Sequence, residues 1–271
     1  MAISKAAFQI TGGIRGFSFY TIAGSDKVIV RTKGGPKKIR VKKAPEFEKL
    51  RSHQKEWFAC VLFSKELRDA LGETYRLADF NVSPVWNGMG KKLMNLDTEH
   101  VVGERVLKIS PYRQVLENFN LNRNFPFNSV LKVSPTYEVN RESLQATVTF
   151  PRINTMNDLL NIQRLPYFRL IVSLGIISDI AYHPEYEKKK YAPTLGISYG
   201  SHVSTISNWF SAVDSIDEQT LNLQMGKVFF DLLTDEVTLL LGIGIEFGNV
   251  GFASQITEVK RACCGKILHV C

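Results

Sequence analysis

From Ser129 onwards the apolar residues recur with a period of two. In SLQATVTF, Leu144, Ala146, Val148 and Phe150 fall on one side, and Gln145, Thr147 and Thr149 on the other. EVTLLLGIGIEFG carries the pattern further. Val237, Leu239, Leu241, Ile243, Ile245 and Phe247 share one face, and Thr238, Leu240, Gly242, Gly244 and Glu246 share the opposite one. Further strands are expected at Leu131 to Val139, Tyr167 to Ile177, Thr194 to Ser207, Thr220 to Leu223 and Ile256 to Cys264.

Earlier in the chain the pattern changes. GIRGFSFYTI is rich in strand formers, ends in the turn Ala23-Gly24-Ser25-Asp26, and returns as VIVRT, which predicts a hairpin. After the break at Gly34-Gly35-Pro36, IRVKK reads as a short basic strand or extended arm. Pro45 suits the first position of a helix, and Glu46 and Glu48 suit its first turn. Phe47, Leu50, Trp57, Phe58, Val61 and Leu62 fall largely on one helical face. A helix is therefore expected from Pro45 to Leu71, stopped by Gly72, with Ser64 able to cap a second segment. Pro84, Pro111 and Pro126 cut residues 73–128 into short pieces, with a helix at Val85 to Leu96 and an Asn-rich loop, NFNLNRNFPFN, anchored by its aromatic residues.

These elements predict an α+β chain. Residues 1–128 form a hairpin-and-helix N-terminal region, and residues 129–271 an antiparallel β-sandwich of about seven strands. An apolar fraction of 44% in 271 residues is enough for a sizeable core. The most apolar stretches, Leu170 to Ile177 and Val237 to Phe247, have strand length, so no membrane helix is expected. MAISKAAFQITGG has no apolar stretch after Lys5, which predicts a protein made in the cytoplasm without a signal peptide. Its final site is left open by the sequence; a life outside the cell would need a particle released by lysis or a dedicated export route. Free ends fray unless tied down, and both ends of this chain are expected to dock in neighbouring copies.

The net charge of +8 is local. Eight basic residues (Lys27, Arg31, Lys33, Lys37, Lys38, Arg40, Lys42 and Lys43) occur between Lys27 and Lys43 with no acid among them, so the rest of the chain sums to zero. This segment suits nucleic-acid phosphates, a solvated face, or acidic residues of another copy such as Glu185, Glu187, Asp214, Asp217 and Glu218. It contains no aromatic residue to stack on bases, which counts against single-stranded nucleic acid.

Enzyme motifs find no anchor. Gly196-Ile197-Ser198-Tyr199-Gly200 matches the nucleophile-elbow pattern, but SHVSTIS follows it as a strand rather than a helix. Gly242-Ile243-Gly244 with Gly248 lacks the dinucleotide spacing. His53, His100, His183, His202 and His269 are scattered singly. Cys263, Cys264, His269 and Cys271 lack the paired spacing of a zinc site, and with Cys60 they read as ordinary thiols. No cofactor, metal or small-molecule substrate is expected. Gly242 and Gly244 leave one strand face bare, which predicts close approach there by another segment, first of all a second subunit or the docked terminus.

Gly13-x-x-Gly16-Phe17-x-Phe19-Tyr20, Arg31-x-Lys33-Gly34-Gly35-Pro36 and Pro45-x-Phe47-x-x-x-Arg51, with the ending Gly265-Lys266-Ile267-Leu268, together resemble a family of short proteins from Bacteroidota and related prophage-like regions. The resemblance lies mainly in the first seventy residues. That family has no established activity and brings no catalytic residues; it implies a hairpin-helix module followed by a β domain.

The expectation is a non-enzymatic subunit of a filament, tube, shell or phage-like particle. Its contacts would be Lys37, Lys38, Arg40, Lys42 and Lys43 and the bare face at Gly242 and Gly244. The alternative is a nucleic-acid-binding protein using Lys27 to Lys43.

Overall fold

A computed structural model describes residues 2–4, 12–21, 27–32, 34–187, 190–195 and 201–271. The turn Ala23–Asp26, Lys33 and the Gly196–Gly200 motif lie outside them. The chain divides into two compact units, Met1–Arg51 and Ser52–Cys271.

Unit 1 is an antiparallel sheet followed by short helical turns. Its strands β1 (Ala2–Ser4), β2 (Gly12–Ile14), β3 (Phe17–Thr21) and β4 (Val28–Thr32) are ordered β1-β4-β3-β2. β2 and β3 are joined by the two-residue loop Arg15-Gly16, both at positive φ (42° and 84°), as the twist of a tight hairpin requires. β3 and β4 pair from Phe17↔Thr32 to Thr21↔Val28, which is the expected hairpin.

The short basic strand or extended arm expected at IRVKK is instead a helix, α1 (Lys38–Lys43). Its alternation imitates a strand, but among the described residues no strand pairs with it. Helical hydrogen bonds form locally from Val41 N–H to Lys37 O (3.1 Å) and from Ala44 N–H to Arg40 O (2.8 Å). Arg51 closes the end of the helix by donating to the carbonyls of Val41 and Ala44, both at 2.8 Å.

A 3₁₀ turn at Pro45–Phe47 leads into α2 (Glu48–Tyr75), which runs unbroken through Ser64 and kinks at Gly72 (φ 46°, ψ −121°). In unit 2, α3 (Ser83–Met94) takes the place of the expected Val85 to Leu96 helix, and α4 (Phe127–Val130) is a single turn. The Asn-rich segment is a pinned loop. Asn122 donates to Leu77 O and Cys263 O and accepts from Gly265 N–H, while Phe127 is buried.

The strands of unit 2 are β5 (Thr136–Asn140), β6 (Gln145–Phe150), β7 (Tyr167–Ser178), β8 (Ile180–Tyr182), β9 (Tyr191–Pro193), β10 (Ser201–Ile206), β11 (Phe210–Ser211), β12 (Gln219–Gln224), β13 (Val237–Val250), β14 (Ile256–Glu258) and β15 (Cys264–Val270). β7 and β13 form the antiparallel centre of a six-stranded sheet, paired from Val237↔Ser178 to Gly248↔Tyr167. β10 and β11 lie along β7, and β14 and β15 along β13. β12, β6 and β5 make a three-stranded sheet, and β8 pairs with β9. Helices and antiparallel sheets together make the chain α+β.

Both faces of the central sheet are covered. Phe168, Leu170, Val172, Leu174 and Ile176 of β7, with Leu239 to Phe247 at alternate positions of β13, join Leu144, Ala146, Val148 and Phe150 in one apolar cluster. On the other face, Ile177 and Leu240 pack with Ala59, Phe63, Leu67 and Leu71 of α2 and Trp86 of α3. This helical layer moves the division of the chain from 128/129, where it was expected, to Arg51/Ser52. The apolar side of α2 and α3 is buried on the sheet and belongs to the same unit. Among the described residues, no helix is long and apolar enough to cross a membrane.

Candidate interaction surface

Charge is divided between the units. Met1–Arg51 holds twelve Lys or Arg against three Asp or Glu, a net +9, and Ser52–Cys271 holds twenty-two against twenty-three, a net −1. Lys37, Lys38, Arg40, Lys42 and Lys43 are all exposed. Arg40 pairs with Glu46 at 2.7 Å; the four lysines have no ion-pair partner among the described residues. The acidic candidates Glu185, Glu187, Asp214, Asp217 and Glu218 are also exposed, and Glu185 bonds His183 Nδ1 at 3.0 Å.

The register of β2, β3 and β4 sorts the unit 1 sheet into two faces. Ile14, Phe17, Phe19, Val28, Val30 and Thr32 share one, and Ser18, Tyr20, Ile29 and Arg31 share the other. On the first face Ile14 is 52% exposed and Phe17 46%. On the second, the exposed Arg31 guanidinium lies 5.5 Å from the centre of the Tyr20 ring. Among the described side chains of unit 1, only Val28 and Ile29 are buried.

The bare face at Gly242 and Gly244 lies inside unit 2, and its neighbours are the chain's own. A Cβ at Gly242 would stand 3.0 Å from Leu71 Cδ2 and 3.1 Å from Thr74; one at Gly244 would clash with Leu77 Cδ1. α2 and the segment after it therefore occupy the place considered for a second subunit. Gly175 of β7 is tighter still, since any Cβ there would collide with the backbone of Ala70.

The charged groups buried in unit 2 are held by their own partners. Glu56 on α2 is fully buried. Its carboxylate accepts from Arg105 Nε (2.7 Å) and Nη2 (2.8 Å), from Gly103 N–H (2.9 Å), and from Lys91 Nζ. Burial alone would raise its pKa, but the bonds from Arg105, Lys91 and Gly103 outweigh this and hold it at about 2. Glu246, also fully buried, lies between Arg76 (2.8 Å) and Arg169 (2.5 Å), and Arg169 stacks on Trp209. Asp179 accepts from Ile109 N–H, Ser110 N–H and Ser110 Oγ. Glu66 is the exception. Its Oε1 has no partner among the described residues, and burial pushes its pKa up to about 7.

The cysteine–histidine cluster is dispersed. Cys263 packs with Leu77 and Ile171, whereas Cys264 joins the cluster on the far face of the sheet, and burial raises both thiols, Cys263 to about 11. His269 Nδ1 instead bonds Glu117 at 2.7 Å. Asp97, Glu99 and His100 come within 4.8 Å of one another. The Asp97 oxygens already accept from the N–H groups of Glu99, His100 and Val106 and meet His100 Nδ1.

Two features were not visible from spacing alone. The Glu56 cluster joins residues far apart in the chain, and its one signal was a carboxylate next to the apolar stripe of α2. The aromatic partner of the basic segment, Tyr20, lies outside that segment and reaches it only through strand pairing. Comparison with protein-family models, curated proteins and solved structures finds no match to the chain.

Proposed function

We propose that the chain is a non-enzymatic structural subunit that associates with copies of itself through the open apolar face of unit 1. The observation that carries this reading is the pair of buried side chains, Val28 and Ile29, set against an exposed Ile14 and Phe17. A small sheet needs a covered apolar face for stability, and the same face of a second copy offers matching cover across a two-fold axis. Unit 2 supplies the rigid body. Its six- and three-stranded sheets, sharing one apolar cluster, read as the two layers of a β-sandwich. The buried carboxylates Glu56, Asp179 and Glu246 have a structural reading, since protein donors already hold them away from any substrate.

Each unit 1 carries +9, so two such faces repel one another and salt should strengthen their association. A second arrangement seats Lys37, Lys38, Lys42 and Lys43 on Glu185, Glu187, Asp214, Asp217 and Glu218 of a neighbour. It predicts the opposite salt dependence. A two-fold contact closes at a dimer, so a filament, tube or shell would need a second interface such as the lysine–carboxylate one.

Sedimentation velocity of the whole chain at low and high salt tests the proposal. Oligomers that grow with salt, and that are lost in Ile14→Ser/Phe17→Ser while the fold of unit 2 persists, are the expected result. A single copy under all conditions overturns it, and oligomers that dissolve in salt assign the contact to the lysines.

A further inference from the structure

We infer that unit 1 also binds single-stranded nucleic acid, using the cations of α1 and the Tyr20–Arg31 face of its sheet. This goes beyond self-association, and its side chains lie on the face opposite Ile14 and Phe17.

Charge is the first argument. Unit 1 has nine positive charges in excess, and unit 2, at −1, offers no matching field. Lys38 and Lys42 sit one helical turn apart on α1, with Lys43 beside them and Lys37 at the helix start. Like charges at this spacing repel, and α1 has no acidic residue in its first turn to offset them. A phosphodiester chain supplies regularly spaced negative charge, and releasing its counterions drives such contacts.

The second argument is stacking. The basic segment itself has no aromatic residue, but the pairing of β3 with β4 places Tyr20 beside Arg31. The two planar groups meet on one face, with Arg31 exposed. Aromatic rings and guanidinium planes are the surfaces on which unpaired bases stack. An acidic peptide can pair with the Arg31 guanidinium but gains nothing from stacking on the Tyr20 ring. A duplex would need an element that fills a groove, and the six residues of α1 are short for that.

The test is fluorescence anisotropy of a labelled oligothymidylate with the whole chain, beside polyglutamate of equal charge and anionic phospholipid vesicles. The oligonucleotide should bind most tightly. If about six phosphates are engaged, its affinity should fall roughly 300-fold for a fourfold rise in salt. Lys37→Gln/Lys38→Gln/Lys42→Gln/Lys43→Gln should flatten that log–log slope by about 3. Tyr20→Ala should weaken oligonucleotide binding roughly tenfold and leave polyglutamate unchanged. Tyr20→Phe should bind like the parent, which separates lost stacking from lost folding. Equal affinity for polyglutamate, preference for vesicles, or no oligonucleotide binding at low salt would each overturn the inference.

Discussion

Units 1 and 2 are both built on antiparallel sheets, and they differ in what covers those sheets. In unit 2, β7 and β13 are buried along nearly their whole length, by α2 and α3 on one face and by the three-stranded sheet on the other. Charges there balance to −1, and the buried carboxylates Glu56 and Glu246 each face two cations. In unit 1, two side chains are buried among those described, the apolar face is half open, and the net charge is +9. Strand pairing is satisfied in both. The contrast teaches that ladder hydrogen bonds give a sheet its shape, while covering its faces gives it independent stability. Unit 2 covers both faces of its central sheet with its own chain, and unit 1 leaves Ile14 and Phe17 about half exposed.

The largest effect that would break this contrast is at the helix–sheet contact of unit 2. Gly175→Val drives a side chain into the backbone of Ala70, which cannot move aside as a flexible side chain could. It should abolish the cooperative melting of unit 2 seen by circular dichroism, a loss of more than about 4 kcal/mol. Gly244→Val, facing the movable tip of Leu77 as well as the Cys264 carbonyl, should cost less, about 1–3 kcal/mol. If Gly175→Val melts like the parent, then α2 is not seated on the sheet as described.

The buried carboxylates give pH-dependent effects whose signs oppose one another. Glu56→Gln leaves Lys91 and Arg105 without their counter-charge and should cost about 3–5 kcal/mol near neutral pH. The depressed pKa of Glu56 means that its contribution is present above its ordinary value of 4.5 and is lost as pH falls towards about 2. Glu66 has a raised pKa. The folded protein holds its proton where the unfolded chain has released it, so stability declines as pH rises from 4.5 through about 7. Glu66→Gln should therefore stabilise unit 2 at alkaline pH by about 1–3 kcal/mol and remove that decline. Urea midpoints measured across pH report both effects, and a Glu66→Gln variant with the parent's pH profile would show that Glu66 is ionised and solvated.

Much of this was legible in the sequence where periodicity was long. The alternation from Val237 to Phe247 gave both faces of β13, and Leu144 to Phe150 gave the buried side of β6. The bare face at Gly242 and Gly244 was legible too. Its occupant was not, because nothing in a strand's own pattern says that Leu71, Thr74 and Leu77 will be the neighbours. α1 was read as a short strand or extended arm because five residues of I-R-V-K-K satisfy both periods, and the capping bonds from Arg51 lie outside that window. The division at Arg51/Ser52 differs from the expected 128/129 for a related reason. The apolar side of α2 was evident, but an amphipathic helix does not name the sheet that it covers. In unit 1 the basic residues were plain, while the companionship of Tyr20 and Arg31 depends on register.

Amide hydrogen exchange of the whole chain, at protein concentrations below and above the onset of association, tests most directly whether unit 1 is completed by a partner. The account predicts that β7 and β13 are protected at both concentrations, whereas β2, β3 and β4 exchange rapidly in the dilute single chain and become protected on association. Strands of unit 1 protected as strongly as β7 and β13 in the dilute single chain would contradict it.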